Sequence, residues 1–203
     1  MKENNFERNI DLNQYKIAKE IDAKSVTTIV LMNAVGFVIG LVTFFLGMLR
    51  VIFSEKVVSN DISVVIWLSM IPAITTYIIL HELTHGIMYK AFTGEKLTFG
   101  ITLAVAYCGV PHIYVKRKVA IIASIMPFVV FSIILIPLLF IINDLTIFLM
   151  ILLLLSLHTC GCVGDIYITL LLLFKYKDKN VLVNDTGPKQ TIYILKGEEY
   201  EKN

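Results

Sequence analysis

The sequence predicts an all-α membrane protein with about four transmembrane helices and a short β-hairpin or re-entrant loop on the cytoplasmic side. Three observations carry this expectation. Hydrophobic residues make up 57% of the 203 positions and charged residues only 17%, with a mean hydropathy of +0.77, whereas a soluble domain keeps roughly a quarter of its residues charged. The apolar residues come in long, nearly charge-free runs, each able to cross about 30 Å of hydrocarbon with roughly 20 helical residues. The positive charges between those runs alternate in density.

Taken in order, residues 1–24 form a cytoplasmic N-terminal segment. The first 25 residues carry ten charges of mixed sign, which is not the short basic start of a signal peptide, so the first apolar run is expected to be a retained span. The spans are expected at about 25–53, 62–92, 119–142 and 145–174, making 25–174 one membrane domain, with 175–203 a cytoplasmic tail. Asn143-Asp144 is the polar break between the last two spans and predicts a tight antiparallel helical hairpin. Counting those at the span ends (Arg50 and Lys90) with the adjoining loops, Lys and Arg number five before the first span, two after it, five after the second, none at Asn143-Asp144 and six in the tail. Positive loops stay in the cytoplasm, so both termini belong there, and an even number of spans preserves the alternation. Between the second and third spans, residues 96–107 are rich in strand-formers, Cys108-Gly109-Val110-Pro111 supplies a turn, and His112-Ile113-Tyr114-Val115 resumes the pattern. In the tail, Val181-Leu182-Val183 and Thr191–Leu195 flank an Asp-Thr-Gly-Pro turn and read as two short strands.

A net charge of +2 with no basic helix and no aromatic-interleaved basic patch excludes nucleic acid as the expected partner. Cys108, Cys160 and Cys162 are odd in number and lack a CxxC pair, so buried free thiols are expected rather than disulfides.

Chemistry concentrates in His81-Glu82-Leu83-Thr84-His85. Residues i and i+4 lie one turn apart on a helix face, so both imidazoles can reach one ion, for which zinc is expected. Glu82 sits beside the first histidine, where a carboxylate can contact the metal's water without ligating the metal, the position of a general base. The bland alternative is a pair of helix-end histidines with a glutamate facing water. Ionisable groups at membrane depth are costly, however, and mark function by default.

Two histidines need a third protein ligand. Asp165, His158, Cys160 and Cys162 are the candidates within the spans, and depth favours Asp165. His81 lies about 19 residues into its span and Asp165 about 20 into the fourth, both running inward at about 1.5 Å per residue, so the two reach the same level. A carboxylate there calls for a cation. His158 is the second choice, about 10 Å further from the cytoplasm on nearly the same face. Asp165 has the alternative role of orienting a histidine ligand. Gly161 and Gly164 flank Asp165 and are expected to let the fourth span approach a neighbour closely. His112 is a weaker candidate to face the site from the loop, and Pro72 and Pro127 are expected kink positions.

The helix Tyr77–Gly86, the block Gly161-Cys162-Val163-Gly164-Asp165-Ile166-Tyr167, and Pro111-His112 followed by a basic stretch and Ala123–Pro127 resemble a bacterial family of membrane proteins described as putative zincin peptidases. That family is related in architecture to the site-2-protease-like intramembrane zinc metalloproteases. The resemblance spans roughly Ile62 to Phe174. It implies His81, His85 and Asp165 as Zn2+ ligands, Glu82 as catalytic base and a bacterial cytoplasmic membrane as location. It departs from the site-2 proteases in that no proline precedes Asp165 and Ile166 follows it.

The expected function is therefore an intramembrane zinc-dependent endopeptidase cutting membrane-anchored protein or peptide substrates near the cytoplasmic face. Two other readings use the same residues: a non-catalytic metal-binding membrane module that binds a partner protein, and a small cation transporter.

Overall fold

The computed structural model describes residues 5–53, 67–102, 106–177 and 180–197. In chain order its elements are β1 (Phe6–Glu7), β2 (Tyr15–Asp22), α1 (Val26–Phe53), α2 (Met70–Thr93), β3 (Thr98–Ile101), β4 (Ala106–Gly109), β5 (Tyr114–Lys116), α3 (Arg117–Ile141), α4 (Leu145–Gly161), α5 (Val163–Leu170), a π-helical turn (Leu171–Lys175), β6 (Val181–Asp185) and β7 (Lys189–Leu195). The chain divides into two compact units, one made of residues 1–29, 81–126 and 165–203 and the other of residues 30–80 and 127–164.

The first unit holds the strands. A five-stranded antiparallel sheet runs in the order β1-β5-β6-β7-β2, and β3 and β4 form a separate two-stranded sheet. The apolar side chains of Val115, Val183, Ile192 and Ile194 on the sheet bury against Ala123, Ile168 and Leu172 of the helical segments. The β6–β7 connection is a tight turn in which Thr186 N–H donates to the Lys189 carbonyl at 2.9 Å. Gly187 takes φ 95° there, a conformation glycine adopts without the cost of a Cβ.

This sheet corrects the all-α expectation. The chain is mostly helical, but the two tail strands do not stand alone. β7 pairs with β2 of the N-terminal segment, and β6 pairs with β5 from between α2 and α3. Sequence periodicity shows single strands and not the partners that join the two ends of a chain, so the N-terminal segment carried no expectation of a strand.

The second unit is helical. The α3–α4 hairpin turns at Ile142–Asp144, where Asp144 caps α4 by accepting from Ile147 N–H at 2.9 Å. Arg50, in the last turn of α1, donates to the carbonyls of Ile142 at 3.1 Å and Phe140 at 3.2 Å. These carbonyls near the end of α3 would otherwise lack partners. Leu135, Leu139, Phe148, Leu152 and Leu155 form the buried cluster.

Close approach between helices occurs at Gly36 and Gly40 of α1, where a Cβ would sit 2.7 Å from the Cys160 carbonyl oxygen and 3.1 Å from that of Ser156. At Gly161 and Gly164, by contrast, no described atom lies within 4 Å of such a Cβ. The expected role of these two glycines is therefore corrected: small residues matter on α1, the face that α4 meets.

Among the described residues, α1 and α3 are long and apolar enough to cross a membrane, and α4 with α5 and the π turn makes a third if the bent pair counts as one span. The expected fourth span thus breaks at Cys162. Of the expected second span, residues 62–66 lie outside the described residues. Its helix α2 interleaves Thr75, Thr76, His81, Glu82, Thr84 and His85 among apolar residues, which keeps it out of the apolar set. The structure therefore supports two or three apolar spans, against four expected.

Candidate metal centre

Helix α2 presents a stripe of buried side chains at four-residue spacing: His81, His85, Tyr89 and Thr93. Side chains at i and i+4 stack on one helix face, so this spacing makes the two imidazoles neighbours, with ring centroids 5.1 Å apart. Both histidines are nine-tenths buried. Asp165 enters from the first turn of α5, just after the break at Cys162. Its Oδ2 lies 3.2 Å from His81 Nε2 and 3.5 Å from His85 Nε2.

The donor set fits a tetrahedral metal. His85 Nδ1 lies 2.8 Å from the Ala123 carbonyl oxygen, which can only accept, so Nδ1 carries a proton and, in the neutral ring, Nε2 is the nitrogen with the lone pair. Nε2 faces a carboxylate oxygen at 3.5 Å, a pairing that either a second ring proton or a bound cation satisfies. Zinc bonds of about 2.0–2.1 Å in a tetrahedron place neighbouring ligand atoms roughly 3.3 Å apart, close to the two separations seen. One donor atom from each of His81, His85 and Asp165 lies within 4.8 Å of the others. The Ala123 carbonyl holds the His85 ring in place as outer partners of metal-bound histidines do.

Glu82 is half-buried beside His81, and its carboxylate interacts electrostatically with His85, His81 and Asp165. The structure thus brings His81, Glu82, His85 and Asp165 into one neighbourhood. His112 is exposed in the turn before β5 and Cys160 is half-buried. His158 is fully buried in the helical unit, with Nδ1 2.9 Å from Tyr77 Oη and 3.5 Å from Cys162 Sγ, and Nε2 3.2 Å from Ser132 Oγ.

The hairpin β3–β4 lies against the same stretch of α2. A Cβ at Gly86, the residue after His85, would come within 2.9 Å of Phe99 Cζ and 3.2 Å of Cys108 Sγ. Burial, together with the negative charges of Asp185 and Glu82, pushes the Cys108 thiol up to about 12. It is an inert packing group, since the thiolate is the reactive form. Sequence reasoning missed the Ala123 carbonyl, which has no side-chain signature. It also missed the contact between Tyr89 and Asp185 (2.6 Å), although the four-residue spacing of Tyr89 from His85 was legible.

Two histidines one turn apart, an intervening glutamate and a carboxylate meeting both rings form a group that could hold a metal ion in the way of a zincin-type site. A family model described as "Putative zincin peptidase" matches residues 73–179, and the chain belongs to that family. The matched region includes all four of these residues, and the family implies zinc. No curated protein and no solved structure matches the chain.

Proposed function

We propose that the protein is an intramembrane zinc endopeptidase that cuts membrane-anchored proteins or peptides near the cytoplasmic face, with both termini in the cytoplasm. The observation that carries this reading is the convergence of Asp165 Oδ2 on both HELTH imidazoles at 3.2 and 3.5 Å. His81, His85 and Asp165 would hold the ion, leaving a fourth position open. Zinc bound there would supply Lewis acidity and bring the pKa of a water towards 7.

The rest falls to the chain's own residues. Glu82 takes the proton of the attacking water as its oxygen bonds to the scissile carbonyl carbon, then gives that proton to the leaving amine as the C–N bond breaks. The Ala123 carbonyl keeps the His85 ring in the tautomer that aims Nε2 inward. A helical substrate must unwind, because its carbonyls are already hydrogen-bonded. Among the described residues, no third strand pairs with β3. Its free edge offers backbone hydrogen bonds to an extended substrate segment.

The membrane setting draws support from the apolar lengths of α1 and α3 and from the distribution of Lys and Arg along the sequence. The test is cleavage of a membrane-anchored reporter by purified protein in zinc-loaded proteoliposomes. Wild type should cut it, and Glu82→Gln should lower the rate by about 10²–10⁴-fold, the usual worth of a general base. An undiminished rate in Glu82→Gln would sink the proposal.

A further inference from the structure

Asp185, at the end of β6, lies beyond the family-matched region, yet it reaches the helix of the HELTH motif. Tyr89, one turn after His85, donates its hydroxyl to Asp185 Oδ2 at 2.6 Å. Gln190 Nε2 donates to the same oxygen at 2.9 Å, and Gly187 N–H donates to Oδ1 at 2.8 Å. The backbone carbonyl of Asp185 accepts from Val110 N–H at 2.8 Å, directly after β4. Both Asp185 and Tyr89 are 2% exposed. One residue of the tail therefore ties together the tail turn, the ligand-bearing helix and the exit of the β3–β4 hairpin.

Packing joins the same three elements. The Tyr107 ring on β4 occupies the space a side chain would need at Gly100 on β3 and at Gly187 in the tail turn, and the backbone of Gly187 fills the space at Gly109. Elsewhere the hairpin rests on α2, where a Cβ at Gly86 would meet Phe99 Cζ at 2.9 Å and Leu97 Cδ1 at 3.0 Å. The hairpin is thus held at two places, by the tail turn through Tyr107 and by α2 at the residue following His85. Its strand β3 leaves Phe99 and Ile101 51% and 79% exposed, and among the described residues it pairs with β4 alone, so the hairpin is anchored without a strand on its outer edge.

We propose that Asp185 is a positioning residue: through Tyr89 and Val110 it locks the β3–β4 hairpin against α2, so that the open edge of β3 meets an extended peptide at a fixed height beside His85. The use of that edge by substrate rests on the peptidase reading, whereas the anchoring does not. Asp185→Asn keeps the shape but removes the charge and turns one acceptor into an NH₂ group, facing either the Tyr89 hydroxyl and Gln190 Nε2 or the Gly187 N–H. Tyr89→Phe removes a single hydrogen bond.

The test uses the full chain in detergent and two readouts. The first is hydrogen exchange of the backbone amides of residues 98–101 and 106–110, measured without and with zinc. The second is the affinity of the zinc-loaded protein for acetohydroxamate, which reaches only the metal, and for an aliphatic peptide hydroxamate long enough to lie along β3. Losing a buried hydrogen bond to a charged group corresponds to roughly a tenfold change or more. Exchange in the hairpin should rise about tenfold in both variants, more in Asp185→Asn. Peptide hydroxamate binding should weaken about tenfold while acetohydroxamate binding holds within about twofold. Unchanged hairpin exchange in both variants overturns the proposal, as does an equal loss of the two hydroxamates. A wild type that binds neither hydroxamate removes the peptidase reading instead, and the exchange result still decides the anchoring.

Discussion

His85 and His158 are both buried, but they are surrounded by opposite kinds of partner. Around His85, Nδ1 meets a backbone carbonyl and Nε2 faces a carboxylate. Both partners are acceptors, and the ring can donate to only one of them while neutral. Around His158, Tyr77 Oη and Ser132 Oγ stand near the two ring nitrogens, and a hydroxyl donates or accepts as required. The Phe128 ring stacks on that imidazole at 5.7 Å and 16°. Burial of a histidine therefore says little by itself. What sets the His85 ring apart is a pair of acceptors, one at each nitrogen, which calls for a bound cation or a second ring proton.

The largest effect that would break this comparison is on zinc affinity. His85→Ala should lower it by more than about a hundredfold, beyond the 10–100-fold typical of losing only an outer partner of a ligand. His158→Gln should leave it within about threefold, both read by competition with a chromophoric chelator. Equal losses in the two variants would erase the distinction.

A smaller effect separates the two settings by stability. His158→Ala leaves Tyr77 and Ser132 without a ring partner and should lower unfolding stability by about 1–3 kcal/mol, measured by denaturant titration in detergent, with zinc retained. A change of similar size, about 1–3 kcal/mol, is expected for Gly36→Ala, because its Cβ would stand 2.7 Å from backbone of α4 that cannot rotate away. In contrast, Gly161→Ala, with no described atom within 4 Å of the new Cβ, should be close to neutral in the same titration.

The smallest effect concerns Cys108. Its thiol is raised from an ordinary value of 9 to about 12, by burial first. The folded state holds this proton where the unfolded chain loses it. The associated stability is fully present below pH 9 and is lost as pH rises through about 12. At pH 8 the folded protein should leave Cys108 unlabelled by maleimide while the denatured chain reacts, as mass spectrometry of the labelled peptide would show.

Much of the site was legible because its signals are local. HELTH is a spacing on one helix, and Asp165 was expected from residue rise along two segments read as running inward, each computable without a partner. The helical hairpin at Asn143-Asp144 was legible for the same reason. What sequence could not supply is non-local. The Ala123 carbonyl belongs to the backbone and leaves no mark on residue choice. The break at Cys162, which starts a new helix just before Asp165, has no proline to announce it. The sheet joins strands from both ends of the chain, and Asp185 lies in a tail that reads as an appendage until its contact with Tyr89 is seen. Gly161 and Gly164 misled because their proximity to Asp165 in sequence suggested a close approach that occurs instead at Gly36 and Gly40.

The most direct test of the central claim is metal analysis of detergent-purified wild type beside Glu82→Gln and Asp165→Ala. The account predicts about one zinc per chain in wild type and in Glu82→Gln, and close to none in Asp165→Ala, since two imidazoles alone leave the ion short of a ligand. Wild type without zinc, or Asp165→Ala that retains it in full, would contradict the account.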